Sequence, residues 1–220
     1  MILCVPKVLS PELLSRVRAA LEAAPFVDGR MTASEPAKLV KNNLQLDERD
    51  ARHAELSKTL TGAVLGSTLF QLVVWPKTVL PFRFSRYEPG MGYGEHVDEP
   101  LFQGNRSDVS MTVFLSDPEA YDGGELVIEW GGIERAFKLA AGDMVLYPST
   151  TAHRVETVTR GTRLVAVSWA QSYIRDPARR ELVFELDMAR RSLFQRHGKT
   201  PECDAISKAL ANLLRMWADT

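Results

Sequence analysis

Between residues 109 and 172 the chain is broken into short β-branched and aromatic stretches by closely spaced turn chemistry: Asp117-Pro118, Asp122-Gly123-Gly124, Gly131-Gly132, Gly142-Asp143 and Arg160-Gly161. The stretches 109–115, 125–130, 136–139, 144–147 and 163–172 have strand length and strand composition. A doubly wound parallel sheet needs a helix between successive strands, and there is no room for one here. The texture therefore predicts an all-β sandwich or barrel. Two further stretches, Gln71-Leu72-Val73-Val74-Trp75 and 79–87, bounded by Pro76 and Pro89-Gly90, read as strands of the same core.

Helical texture flanks this region. Ser10-Pro11-Glu12 supplies a capping hydroxyl, a first-turn proline and an acidic residue, and Leu13, Leu14, Val17, Ala20, Leu21 and Ala24 give an apolar face before Pro25. Residues 26–43 read as loop, and 48–65 as a second helix. After Tyr173 the spacing is helical again over 177–196, with Gly198 as a stop, and over 201–218. The expected division is an N-terminal helical flank over 1–69, a β core over 70–175 and a C-terminal helical hairpin over 176–220. The hairpin would pack beside the core or on another subunit, which leaves a homo-oligomer open.

Of 220 residues, 45% are hydrophobic and 25% charged, as in ordinary soluble domains, and the net charge of −1 gives no general attraction to nucleic acid or an anionic membrane. No apolar run is long enough for a spanning helix, and no basic leader with a long apolar stretch follows Met1. Cys4 and Cys203 lie far apart without metal-type spacing. The expectation is a reduced, cytoplasmic protein.

Only four histidines occur, and two of them, His53 and His197, fall on predicted helices. The other two lie in the β region. His96-Val97-Asp98 spaces an imidazole and a carboxylate so that both face one side of an extended segment, with Val97 turned toward packing. His153 follows the turn and strand 142–148 that would return the chain to the same mouth. Two imidazoles and a carboxylate are the ligand set of a facial-triad iron(II) site. Arg163, ten positions beyond His153, alternates with apolar residues on a core strand. A buried guanidinium requires an anionic partner, and the far carboxylate of 2-oxoglutarate would accept two parallel hydrogen bonds from it. Gly90, Gly92 and Gly94 are not a phosphate loop, since no Gly-Lys-Ser/Thr follows, and read as a bendable loop over the mouth. Asp122-Gly123-Gly124-Glu125 reads as a structural hairpin.

The run Arg86-Tyr87-Glu88-Pro89-Gly90-Met91-Gly92-Tyr93-Gly94-Glu95-His96-Val97-Asp98 resembles the prolyl-4-hydroxylase-type iron/2-oxoglutarate dioxygenases. From Pro6-Lys7-Val8-Leu9 to Leu213-Leu214-Arg215-Met216-Trp217 the chain is similar to the bacterial PKHD-type hydroxylases associated with iron uptake. The resemblance implies a double-stranded β-helix (jelly-roll) core, mainly β with flanking helices. It implies Fe(II) held by His96, Asp98 and His153, with 2-oxoglutarate and O2 as cosubstrates and ascorbate as an accompanying reductant. Arg163, Tyr87 and, by a looser alignment, Ser110 would bind 2-oxoglutarate, and Tyr93 would lie on the substrate side. The reaction would be hydroxylation with release of succinate and CO2; related halogenases replace the carboxylate ligand, so Asp98 favours hydroxylation. A small molecule is the expected substrate, ahead of a protein side chain. Competing readings are a non-oxidative metal-dependent cupin-like enzyme or binding module, and an interaction protein built on the helical hairpin. Neither requires Arg163.

Overall fold

A computed structural model describes residues 1–219. The strands in chain order are β1 (Leu3–Val5), β2 (Phe26–Asp28), β3 (Lys41–Asn42), β4 (Leu44–Leu46), β5 (Pro76–Val79), β6 (Arg83–Tyr87), β7 (Gly92–His96), β8 (Leu101–Phe102) and β9 (Asn105–Arg106). They continue with β10 (Val109–Phe114), β11 (Tyr121–Asp122), β12 (Leu126–Trp130), β13 (Ile133–Phe137), β14 (Met144–Pro148), β15 (His153–Val155), β16 (Arg160–Gly161) and β17 (Arg163–Ser172). The helices are α1 (Pro11–Glu22), α2 (Glu35–Lys38), α3 (Ala51–Leu65), α4 (Thr68–Val74), α5 (Pro177–His197) and α6 (Pro201–Trp217).

Two antiparallel sheets carry the molecule. The larger has the order β1-β14-β10-β17-β6-β4-β2, with β5 also paired to β17; the smaller has the order β13-β12-β15-β7-β3. Side chains from both line one cavity of about 810 Å³, part of it open to solvent. This is the expected jelly-roll arrangement.

Period-two alternation divides each central strand of the larger sheet between two environments. On β10, Met111 and Val113 enter the main core while Ser110 and Thr112 line the cavity. On β17, Ala166 and Ala170 face that core, whereas Arg163, Val167 and Trp169 line the cavity. On β6, Phe84 packs inward to the core, and Arg83, Ser85 and Tyr87 line the cavity. The core side is closed by Val17 and Leu21 of α1, Leu56, Leu60 and Val64 of α3, and Phe70, Val73 and Val74 of α4. Ser10 caps α1 as expected, its Oγ accepting from the Leu13 amide at 3.2 Å.

The segment 70–75 is not the first core strand. It belongs to α4, capped by Ser67 Oγ accepting from the Phe70 amide at 3.3 Å and ended by Trp75 in the left-handed region at φ 49°. Its buried residues Phe70, Val73 and Val74 follow helical spacing, and packing on the sheet overrides the strand propensity of valine. The first core strand in this region is β5. Residues 26–43 are also more ordered than a loop, since they hold β2, a 3-10 turn at Gly29–Thr32, α2 and β3. The N-terminal segment thus adds β1, β2 and β4 to the larger sheet and β3 to the smaller.

The helices α5 and α6 form the expected hairpin. Ile174, Val183 and Leu210 are the buried centre of its contact, with Trp75 and Trp217 against them. Arg180 secures its base by donating to the carbonyls of Ile174 (2.7 Å), Arg175 (2.8 Å) and Asp108 (3.2 Å). Among the described residues no helix is long and apolar enough to cross a membrane.

Candidate metal centre and active site

His96 and His153 are direct cross-strand partners of β7 and β15, so their rings lie side by side with centroids 4.3 Å apart. Asp98 follows two residues after His96, just beyond the end of β7, and its Oδ2 lies 3.8 Å from His153 Nε2. One ligand atom from each of the three residues falls within 4.8 Å of the others. Val97 between them does not turn into packing; it is 54% exposed at the cavity rim, because the chain leaves the sheet at that point.

Backbone contacts prepare both imidazoles for a metal. His96 Nδ1 lies 2.9 Å from the Gly94 carbonyl and His153 Nδ1 lies 3.0 Å from the Thr151 carbonyl. A carbonyl only accepts, so each Nδ1 carries the proton and each Nε2 presents a lone pair toward the cavity. Burial, followed by the neighbouring His153, lowers the His96 pKa to about 4, which keeps that ring neutral. Ser110 Oγ contacts Asp98 Oδ2 at 2.5 Å and Ser149 Oγ at 2.8 Å. Two imidazoles and one oriented carboxylate form a donor set suited to iron(II), with coordination positions left for exogenous oxygen ligands.

Deeper in the cavity, Arg163 is 1% exposed, and its Nε and Nη1 have no hydrogen-bond partner among the described residues. The guanidinium rests on aromatic faces, 5.0 Å from the Tyr87 ring centroid and 5.7 Å from that of Phe114. Tyr87 is its register partner across β6 and β17. The turn 122–125 is not a hairpin, since β11 pairs with β16 while β12 belongs to the smaller sheet. Its Gly124, at φ +68°, makes room for the arginine: a Cβ there would lie 2.9 Å from Arg163 Cδ. Unsatisfied donors on a buried cation form a receptor for an anion.

Tyr93 stacks on His96 with centroids 3.7 Å apart and planes at 15°, so its ring lies beside the triad. Ser110 lies against the Asp98 carboxylate, away from the position the resemblance implied for it beside Arg163. Gly92 and Gly94 are not a loop but part of β7, where close packing requires them. A Cβ on Gly92 would lie 3.1 Å from the Val155 carbonyl oxygen, and one on Gly94 would lie 2.8 Å from Val40 Cβ. Only Gly90, at φ +87°, occupies the turn before the strand.

Several cavity residues were not identified from sequence. Lys41 of β3, Gln45 of β4 and Asn43 between these strands line it, joined by Arg83, Phe102, Tyr147 and Trp169. Their only sequence signal was the alternation of Lys41, Asn43 and Gln45 in a stretch that otherwise reads as loop.

Residues 82–171 match the family model of the 2OG-Fe(II) oxygenase superfamily, and residues 177–219 match that of the PKHD-type hydroxylase C-terminal domain. The chain is 52% identical to a PKHD-type hydroxylase of Picosynechococcus sp., covering 98% of each protein. It is 53% identical to one of Acaryochloris marina, covering 100% of each. In fold it is similar to a crystal structure of a Pseudomonas putida prolyl-4-hydroxylase, with a TM-score of 0.51 and 21% identity over 78% of this chain and 92% of that one.

Proposed function

Since the chain belongs to the PKHD-type hydroxylases, enzymes of the iron(II)- and 2-oxoglutarate-dependent oxygenase class, we propose that His96, Asp98 and His153 hold the iron and that Arg163 anchors 2-oxoglutarate. The product would be a hydroxylated small molecule. The observation that carries this reading is the buried Arg163, with two unpartnered nitrogens, in the same cavity as the triad. A non-oxidative cupin-like hydrolase does not require such a receptor.

His96, Asp98 and His153 would hold iron(II), which would supply the oxidative chemistry that couples conversion of 2-oxoglutarate and dioxygen to succinate and CO2 with transfer of one oxygen atom to a C–H bond of the substrate. The protein's own part is to orient and exclude. The Gly94 and Thr151 carbonyls fix the imidazole tautomers. Ser110 sets the angle of the Asp98 carboxylate, a position that supports it as an orienting group. Arg163 fixes one end of the dicarboxylate, and the Tyr87 ring beneath it limits tilt. Tyr93, stacked on His96, borders the side from which substrate would approach. Two free thiols, Cys4 and Cys203, fit a reducing cytoplasmic setting.

The test is an anaerobic titration of the metal-free protein with iron(II) and then 2-oxoglutarate. A visible charge-transfer band should appear only when both are present, and His153→Ala should abolish it. Folded protein that shows no band under these conditions would exclude the assignment.

A further inference from the structure

The 41–46 segment places three polar side chains on one face. Lys41, Asn43 and Gln45 are buried and line the triad's cavity, whereas Asn42 is exposed. Three cations reach this cavity: Arg163, Arg83 and Lys41. Arg163 has its role above, and Arg83 pairs with Glu48 at 3.2 Å. Lys41 is the one left over. Although only 7% exposed, it takes part in no ion pair among the described residues, and its hydrogen bond goes to Thr32 Oγ1 at 3.1 Å.

An ammonium has three donors, so a single hydroxyl leaves it under-satisfied in a site where a buried charge is costly. Burial, with Arg83 as the second cause, lowers Lys41 to about 8, so it stays charged at neutral pH. Its position fits recognition of a reactant. The Nζ lies 5.3 Å from the centroid of Tyr93, the ring stacked on His96. On the same face Asn43 is 3% exposed, and neither amide atom has a partner among the described residues. Phe102 and Trp169 add an aromatic wall, with centroids 4.3 Å apart and the Arg83 guanidinium over both rings.

We propose that the hydroxylated substrate is an anion, a small molecule whose carboxylate is received by the Lys41 ammonium while its apolar or planar body lies along the Phe102–Trp169 wall. This rests on the dioxygenase reading above, which gives Arg163 to 2-oxoglutarate and leaves Lys41 for the second reactant. Lys41 is thus a residue of substrate selection and has no part in holding the metal.

The test uses zinc-substituted protein, which does not turn over, saturated with 2-oxoglutarate, and compares benzoate with its neutral isostere benzamide as probes. Affinities are read by calorimetry and by ligand-observed NMR. Benzoate should bind at least about tenfold more tightly than benzamide, as a charge-assisted contact requires. Lys41→Met should abolish that preference, and Lys41→Arg should retain most of it. The 2-oxoglutarate affinity, measured first on each variant, should stay at the wild-type value and also reports correct folding. Equal binding of the two probes, no binding of either, or a preference that survives in Lys41→Met overturns the proposal. So does a parallel loss of 2-oxoglutarate affinity in Lys41→Met, which would make Lys41 a cosubstrate contact. Failure of 2-oxoglutarate to bind the wild-type zinc protein is a separate result, and it would defeat the underlying reading first.

Discussion

Replacing Arg163 with methionine should move two quantities in opposite directions. The guanidinium is 1% exposed, with Nε and Nη1 unpartnered among the described residues, so the fold alone leaves a buried charge incompletely satisfied. Exchanging buried ionic groups for apolar ones of similar volume is commonly neutral or stabilising by about 1–4 kcal/mol. Contacts with the Tyr87 and Phe114 rings at 5.0 and 5.7 Å offset roughly 0.5–2 kcal/mol of that gain. The metal-free, ligand-free variant should therefore be as stable as the wild type or more stable, by up to about 2 kcal/mol in a urea melt. Cosubstrate binding should respond the other way. Loss of the arginine strands the far carboxylate of 2-oxoglutarate in a dry recess, at a cost of about 3–5 kcal/mol, or roughly two to three and a half orders of magnitude in Kd. Arg163→Lys should fall between, because it keeps the charge but loses the paired donors. Calorimetry on the zinc-substituted protein measures the affinities without turnover. A variant that loses more than about 2 kcal/mol of stability while binding 2-oxoglutarate normally would show Arg163 to be a structural cation, and the anchor argument would fail.

Two further outcomes follow from contacts around the cavity. Ser110→Ala removes the hydroxyl that holds Asp98 Oδ2 at 2.5 Å, and metal affinity measured against a competing chelator should fall about 10–100-fold while the urea midpoint scarcely moves. An unaltered metal affinity would reduce Ser110 to packing. Lys41 is lowered from 10.5 to about 8 by burial and then by Arg83, with Asp98, Asp28 and Glu48 acting in the opposite sense. Between those values the unfolded chain binds a proton that the folded chain does not, so stability should rise with pH from about 8 to 10.5 by an amount on the order of 3 kcal/mol. Below pH 8 the full penalty remains, and Lys41→Met should flatten this part of the curve; superimposable curves for the two proteins would contradict it.

The His96–Asp98–His153 cluster was legible because its geometry is local. His96 and Asp98 share a face through period-two spacing, and His153 reaches them by pairing with His96 across two strands. Arg163 was readable as a lone cation in an apolar alternation. What remained hidden depended on packing. Valines 73 and 74 invite a strand, yet together with Phe70 they occupy helical positions over the core, and that spacing competes with composition in a seven-residue helix. Gly92 and Gly94 look like flexibility in sequence; in the fold they are places where neighbouring backbones and Val40 leave no room for a side chain. The Lys41, Asn43 and Gln45 face escaped notice because β3 and β4 are two and three residues long, too short for a periodic signal, and because the alternation is polar.

That short stretch pairs with β7 of the smaller sheet through Lys41 and Asn42, and with β6 of the larger sheet through Leu44 and Gln45. It is therefore a seam as well as a lining. None of His96, Asp98, His153 or Arg163 lies on it, so exchanging side chains there leaves those four residues untouched. Such grafting is restricted to the side chains at 41, 43 and 45. Lengthening or shortening the backbone between Lys41 and Gln45 would pull one sheet's edge out of register with the other's, and the cavity would change shape along with its preferences.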